Sequence, residues 1–233
     1  MTRNRTLLAL ALPLLAVGLA GCGSSGSGGT TTGASAADTA SCSYQANGSA
    51  SRKVDPPPAG ESKATPTTIT ISTNDGDIPL RLEPAQAPCT VGSFVSLAQQ
   101  GFYDNTPCHR MLTSGDYILQ CGDPTGSGTG GPGYTIPDEL VPNDPRLAPC
   151  DTASGTCTYR AGTIAMANTG MKDSGGSQFF LMYGDSPFPP SYTVFGHTDA
   201  SGLKVLKAIG AKGTANGATD GPPKEPVTIT AVK

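Results

Sequence analysis

The sequence has no tryptophan, only two histidines, and charged side chains at just 14% of its 233 residues. Each shortage excludes something. Lysine and arginine total 15 against 18 acids and nowhere form a run, so no basic patch exists to neutralise phosphates, and nucleic acid is not an expected partner. Two histidines without a C-x-x-C spacing make a poor ligand set for zinc; no metal and no cofactor are expected. The glycine run Gly126-Ser127-Gly128-Thr129-Gly130-Gly131 is followed by no Lys-Ser or Lys-Thr and by no helical pattern, so it reads as a plain loop rather than a phosphate cradle. Gly184-Asp185-Ser186, with His197 as a base, is the one pairing a hydrolase would use. It sits late in the chain without a convincing acid partner for the histidine, and reads as a surface turn.

What is abundant is punctuation. Thirty-one glycines and 21 prolines, set among threonines and valines, favour short strands and turns over long helices. The N-terminus differs in kind. Arg3 and Arg5 precede an apolar stretch from Leu7 to Ala20 that is short for a bilayer span and ends in Leu19-Ala20-Gly21-Cys22. This resembles the lipobox of bacterial lipoproteins, which implies that residues 1–21 are a signal peptide and that Cys22 is lipidated, anchoring the protein to the outer face of the cell membrane. Residues 22–41 carry Gly, Ser, Thr and Ala with almost no large apolar side chain; they cannot offset the entropy of ordering and are expected to be a flexible tether. Residues 42–66 form an extended N-terminal segment, and residues 67–233 the one folded domain, expected to be monomeric.

Without Cys22, six cysteines remain, an even number consistent with disulfides in an exported protein. Cys150 and Cys157 flank a turn-rich spacer and are expected to pair. For Cys42, Cys89, Cys108 and Cys121, strand alternation places Cys108 on the face of Arg110 and Cys121 on the opposite one. On that reading a Cys108–Cys121 bond is disfavoured, and Cys42 and Cys89 would each take one of them.

Periodicity supplies the fold. Ile69 and Ile71, the turn Asn74-Asp75-Gly76, and Ile78, Leu80 and Leu82 read as a hairpin. Val91, Phe94, Val95 and Ala98 mark one short helix stopped by Gly101, and Leu203, Leu206 and Ile209 a second. Further apolar runs at 107–112, 117–122, 162–168, 177–183, 193–197 and 227–232 read as strands. Eight strands and two helices, with no long helical crossover, predict a mainly β protein: a closed eight-stranded antiparallel β-barrel capped by two helices.

One constellation contains no nucleophile. Cys108-His109-Arg110, Gln120-Cys121-Gly122-Asp123, Gly128-Thr129-Gly130-Gly131, Met166-Ala167-Asn168, Gly176-Ser177-Gln178-Phe179-Phe180 and Val194-Phe195-Gly196 follow one another in the order and spacing of the cyclophilins. The chain resembles that family from about Thr67 onward. The resemblance implies a peptidyl-prolyl cis-trans isomerase acting on proline-containing segments of exported polypeptides, with Arg110 as the catalytic group and Gln120 holding it. It implies a substrate site lined by Tyr117, Ile118, Gly128, Ala167, Asn168, Gln178, Phe180, Phe188 and Tyr192. Alternation sends Phe179 and Phe180 to opposite faces, one to the core and one to the pocket, and His109 is expected to be packed inside. The chain departs from the family pattern in three places: a hairpin tip at Thr113-Ser114-Gly115-Asp116 with two additional residues, the rim Pro187-Phe188-Pro189-Pro190-Ser191-Tyr192, and an insertion around Cys150 and Cys157. The altered rim argues against tight cyclosporin binding.

Overall fold

The computed structural model describes residues 41–61 and 67–233. The signal-peptide and tether readings, and Cys22 with them, lie outside these residues. Two helices and a dominant sheet build the domain. The sheet strands are β1 (Thr68–Thr73), β2 (Gly76–Leu82), β3 (Thr106–Pro107), β4 (Arg110–Ser114), β5 (Asp116–Cys121), β6 (Thr163–Met166), β7 (Phe179–Met182), β8 (Val194–Thr198), β9 (Asp220–Gly221) and β10 (Thr228–Val232). Their order across the sheet is β9-β4-β5-β7-β6-β8-β2-β1-β10-β3, with every neighbouring pair antiparallel.

This corrects the closed eight-stranded barrel. The ten strands form a curled, open half-barrel. The reason lies in residues 106–114, which bend at Cys108-His109, so that β3 pairs with β10 while β4 pairs with β5. The ladder begins and ends near this bend, with two-residue strands at both edges, too short to prolong the pairing.

Helix α1 (Pro88–Gln99) starts with proline at its first position, where the missing N–H costs nothing. Its N-cap, Ala87, has no side-chain cap. Instead Glu139 reaches in from a distant loop and accepts from the N–H groups of Cys89 and Thr90, at 2.8 Å each. Phe94 drops from α1 into the concave face, 5.5 Å from the ring of Phe179 and 5.3 Å from Phe195. Helix α2 (Ala200–Lys212) is capped by Asp199, whose carboxylate accepts from Ser201 and Gly202 N–H. It seals the hairpin β1–β2 and β8 with Leu206 and Ile209, both fully buried.

The disulfides are Cys42–Cys89, Cys108–Cys121 and Cys150–Cys157. The last is as expected; the other two overturn the alternation argument. Cys121 does face the core with Leu119, and Arg110 with Gln120 faces away from it. But alternation fails at the bend, where Cys108 and Met111 are both buried with two half-buried residues between them. Cys108 therefore turns inward to Cys121. The Cys150–Cys157 bond closes a hairpin, Leu147–Asp151 with Thr156–Tyr159, whose second strand pairs with Ser186–Phe188.

Candidate active site

Register builds the site. Arg110 on β4 lies directly opposite Gln120 on β5, Gln120 opposite Phe180 on β7, Phe180 opposite Ala165 on β6, and Ala165 opposite Val194 on β8. One line of side chains thus crosses five strands on the convex face, at a strand spacing of about 4.8 Å. It runs from a cation through an amide to an apolar floor.

The apolar end is a small cluster separate from the main core. Ile118, Tyr159, Ala165, Phe180, Met182 and Val194 are buried, with Leu112, Ala167, Phe188 and Tyr192 packed against them. The Phe180 ring lies 5.0 Å from Tyr192 and 6.0 Å from Phe188, and Phe188 and Tyr192 are 5.8 Å apart. Phe179, its neighbour in sequence, points the other way into the main core, as alternation requires. Tyr117 does not join the cluster. Ile118 already takes the convex face, so Tyr117 must take the other, where it packs on Tyr183 at 5.8 Å and against Gly184.

The polar end is a hydrogen-bonded chain. Arg110 Nη1 donates to Gln120 Oε1 at 3.4 Å, Gln120 Nε2 donates to Gln178 Oε1 at 2.9 Å, and Gln178 Nε2 donates to the carbonyls of Gly128 and Gly130, each at 2.9 Å. Gln178 therefore ties β5 to the glycine loop. Asp123 shapes that loop from beneath. Its buried carboxylate accepts from Gly128 N–H at 2.8 Å, Gly130 N–H at 3.0 Å and Thr125 N–H and Oγ1. Burial works to raise the Asp123 pKa, but the bonds from Thr125, Gly130 and Gly128 outweigh it and hold the carboxyl below its ordinary range. Gly130 is required here: a Cβ would sit 2.0 Å from Asp123 Oδ1.

Sequence reasoning missed Asp220. Its carboxylate accepts from Arg110 Nε and Nη2, both at 2.8 Å, in a bidentate pair that fixes the plane of the guanidinium. Hydrogen bonding to Asp220 pushes the Arg110 pKa up, and the same contact holds the Asp220 carboxyl low. No local pattern marks Asp220, which reaches Arg110 because β9 pairs with β4 110 residues away in sequence.

A groove of about 530 Å³ opens beside this chain, lined by Gln120, Gly128, Ala167, Asn168 and Gln178 among others. The loop bearing Asn168 is braced: its Nδ2 donates to Ser191 O at 2.8 Å, and its Oδ1 accepts from Gly170 N–H at 3.0 Å. The structure thus sorts the expected residues into two adjoining places, Ile118, Phe180, Phe188 and Tyr192 at the apolar cluster and the five groove residues beside it, with Ala167 common to both.

His109 is half-buried beneath Gly128 rather than in the main core. Burial pushes its pKa down, against the pull of Asp123, and neither ring nitrogen has a partner among the described residues. The hydrolase pairing finds no support. Ser186 is buried, accepting from Tyr117 N–H and donating to Gly184 O, while His197 pairs with Glu83. No group of metal-ligating side chains occurs among the described residues, and no helix there is long and apolar enough to cross a membrane.

Comparison with known proteins fits this geometry. Residues 68–233 match the family model for cyclophilin-type peptidyl-prolyl cis-trans isomerases. A probable peptidyl-prolyl cis-trans isomerase B of Mycobacterium leprae is 46% identical over 202 residues, covering 83% of this chain and 66% of that protein. Its Mycobacterium tuberculosis counterpart is equally similar and 63% covered, so the chain spans just under two thirds of these relatives. Peptidyl-prolyl cis-trans isomerase B of Bacillus subtilis is 42% identical over 135 residues, which is 57% of this chain and 83% of that one. Among solved structures, a cyclophilin-type isomerase of Cryptosporidium parvum, determined in the presence of the dipeptide Ala-Pro, is similar with a TM-score of 0.58. It is 27% identical, covering 71% of this chain and 96% of that one. On the extent of the family match, and on the order of the residues that build the site, the chain belongs to the cyclophilin-type peptidyl-prolyl cis-trans isomerases.

Proposed function

We propose that this protein catalyses cis-trans isomerisation of Xaa-Pro bonds in exported polypeptides, tethered by a lipid on Cys22 to the outer face of the cell membrane. The observation that carries the catalytic reading is the register line from Arg110 through Gln120 to Phe180. Amide resonance opposes rotation about Xaa-Pro with a barrier of about 18–20 kcal/mol. Resonance is lost when the prolyl nitrogen pyramidalises, and the nitrogen then carries a free lone pair. The apolar cluster of Phe180, Phe188 and Tyr192 accepts the ring; the guanidinium at the other end of the line donates to that lone pair. Such a hydrogen bond forms only in the twisted state, so it lowers the barrier rather than merely holding substrate. Arginine suits this role because it cannot lose its proton and its donors are rigidly placed. Asp220 and Gln120 between them engage three of its nitrogens and set its plane. No base, metal or cofactor is called for.

The test is a protease-coupled assay on a short Ala-Pro-Phe peptide. Arg110→Ala is expected to lower kcat/KM by about 100-fold or more while peptide binding persists. Undiminished turnover in this variant sinks the mechanism, and tight binding without turnover in the wild type would make the protein a proline-peptide chaperone instead. For the anchor, Cys22→Ser should move the protein from the membrane to the soluble fraction; continued membrane association would reject it.

A further inference from the structure

The groove has a wall that the isomerase domain itself does not supply. Asn47, Gly48 and Ser49 line it together with Asn168 and Gln178, although they precede residue 68, where the family match begins. They belong to a strap, residues 41–61, clamped at both ends of this short stretch. On the N-terminal side, Cys42 is bonded to Cys89 of α1, Tyr44 Oη donates to Cys89 O at 3.1 Å, and Gln45-Ala46 pairs with Tyr134-Thr135. On the C-terminal side, Ser51 N–H donates to Gly131 O at 2.8 Å and its Oγ accepts from Gly131 N–H at 2.9 Å. Arg52 follows, its Nη1 donating to the carbonyls of Gly101, Phe102 and Asp104 just past the end of α1. Between the clamps the chain turns at Gly48, whose φ of +68° suits glycine and whose missing Cβ would meet nothing. The fold thus fixes the backbone on either side of Asn47 and Ser49 and leaves both exposed, their side chains without a hydrogen-bond partner among the described residues.

Resting on the isomerase reading, we propose that Asn47 and Ser49 are specificity-determining residues, forming a subsite for the extended polypeptide flanking the proline. An extended chain presents unpaired backbone N–H and C=O groups, and a carboxamide that both donates and accepts matches them without selecting a side chain. The hydroxyl of Ser49 offers the same dual capacity. The strap therefore favours unfolded protein segments over short peptides. Because the disulfide to Cys89 fixes one clamp, the subsite also depends on an oxidised Cys42–Cys89 pair.

Turnover of a tetrapeptide containing Ala-Pro is compared with that of two longer peptides, extended by four residues on one or the other side of the same core. In the wild type, one of the two extensions should lower KM. The double variant Asn47→Ala/Ser49→Ala should lose that advantage, about fivefold in kcat/KM for each lost hydrogen bond, while its kcat/KM on the tetrapeptide and its melting temperature stay unchanged. Cys42→Ser/Cys89→Ser, provided it folds, should reproduce the selective loss. Equal handling of long and short peptides by the wild type, or an unchanged advantage in the Asn47→Ala/Ser49→Ala variant, overturns the subsite. A wild type inactive on the tetrapeptide overturns the isomerase reading instead.

Discussion

Phe179 and Phe180 are adjacent, chemically identical and both buried, yet they belong to opposite worlds. Phe179 faces the concave side, where α1 brings Phe94 down on it and Tyr103 closes at 5.7 Å. Phe180 faces the convex side, where no helix arrives and strand neighbours such as Ile118, Ala165 and Val194, with Phe188 and Tyr192 from the segment after β7, pack around it. The difference shows that the side of the sheet a residue faces, not its own character, decides whether it joins the main core under α1 or the smaller convex cluster. The concave cluster is closed by a helix, whereas the convex one is closed by the rings of Phe188 and Tyr192, the side that the proposed function gives to the proline ring.

The largest expected effect breaks this pair apart. Phe179→Ala should leave an enclosed void and cost about 3–5 kcal/mol of stability, read as a fall in melting temperature. Phe180→Ala removes a ring from the smaller convex cluster, buried at 4% exposure but roofed by Phe188 and Tyr192, whose rings can settle into the space, and should cost about 2 kcal/mol. Its main effect should be on KM, raised tenfold or more. Equal destabilisation with unaltered KM would mean that the convex cluster is simply a second core.

Next in size is the latch under the glycine loop. Gly130→Ala drives a methyl onto the Asp123 carboxylate and must either expel that group or unseat the loop. Leaving a buried acceptor unpaired costs about 1–3 kcal/mol, and peptide turnover should fall with it because Gln178 hangs from Gly128 and Gly130. Acid should act on the same latch. The folded-state pKa of Asp123 is depressed, so its contribution to stability is fully present above the unfolded value, about 3.9, and is lost as pH falls through the lower folded value. Amide exchange of Gly128 and Gly130 should therefore quicken only in strong acid. Loosening near neutral pH would exclude Asp123 as the cause.

How much of this was readable from sequence follows the range of the interactions. Hairpin β1–β2 and both helices are local, set by periods of two and of three to four, and they stand close to where the pattern puts them. Arg110, Gln120 and Phe180 were legible because they occupy motifs whose spacing is fixed by strand register. The family resemblance puts both Tyr117 and Ile118 in the pocket, although alternation alone forbids adjacent strand residues from sharing a face. Cys108 departs from expectation for the converse reason: alternation does not run through a bend that the sequence marks only by Pro107. The closed barrel failed at the same bend. The contact of Asp220 with Arg110, and the place of the extended segment around Asn47 beside the groove, could not be read, because each comes only through tertiary pairing.

The smallest expected effect concerns Asp220, and it separates two ways in which an acid can sit on the arginine proposed to be catalytic. Both groups are about half exposed, at 44% and 52%, so the ion pair is largely screened and should add little to stability. If its part is to orient, Asp220→Ala lets the guanidinium sample other planes, and kcat should fall by up to about fivefold, in line with the roughly 0.2–1 kcal/mol of an exposed pair. KM should barely move, because the proline ring is held at the other end of the line. If instead the carboxylate competes with substrate for the guanidinium, the same variant should be faster than the wild type. The geometry favours orientation. The two bonds to Asp220 use Nε and Nη2, and Nη1 stays on the side of Gln120, where the line leads to Phe180. Asp220→Asn, which retains one acceptor, should recover part of the loss, and raised salt should narrow the gap between wild type and variant.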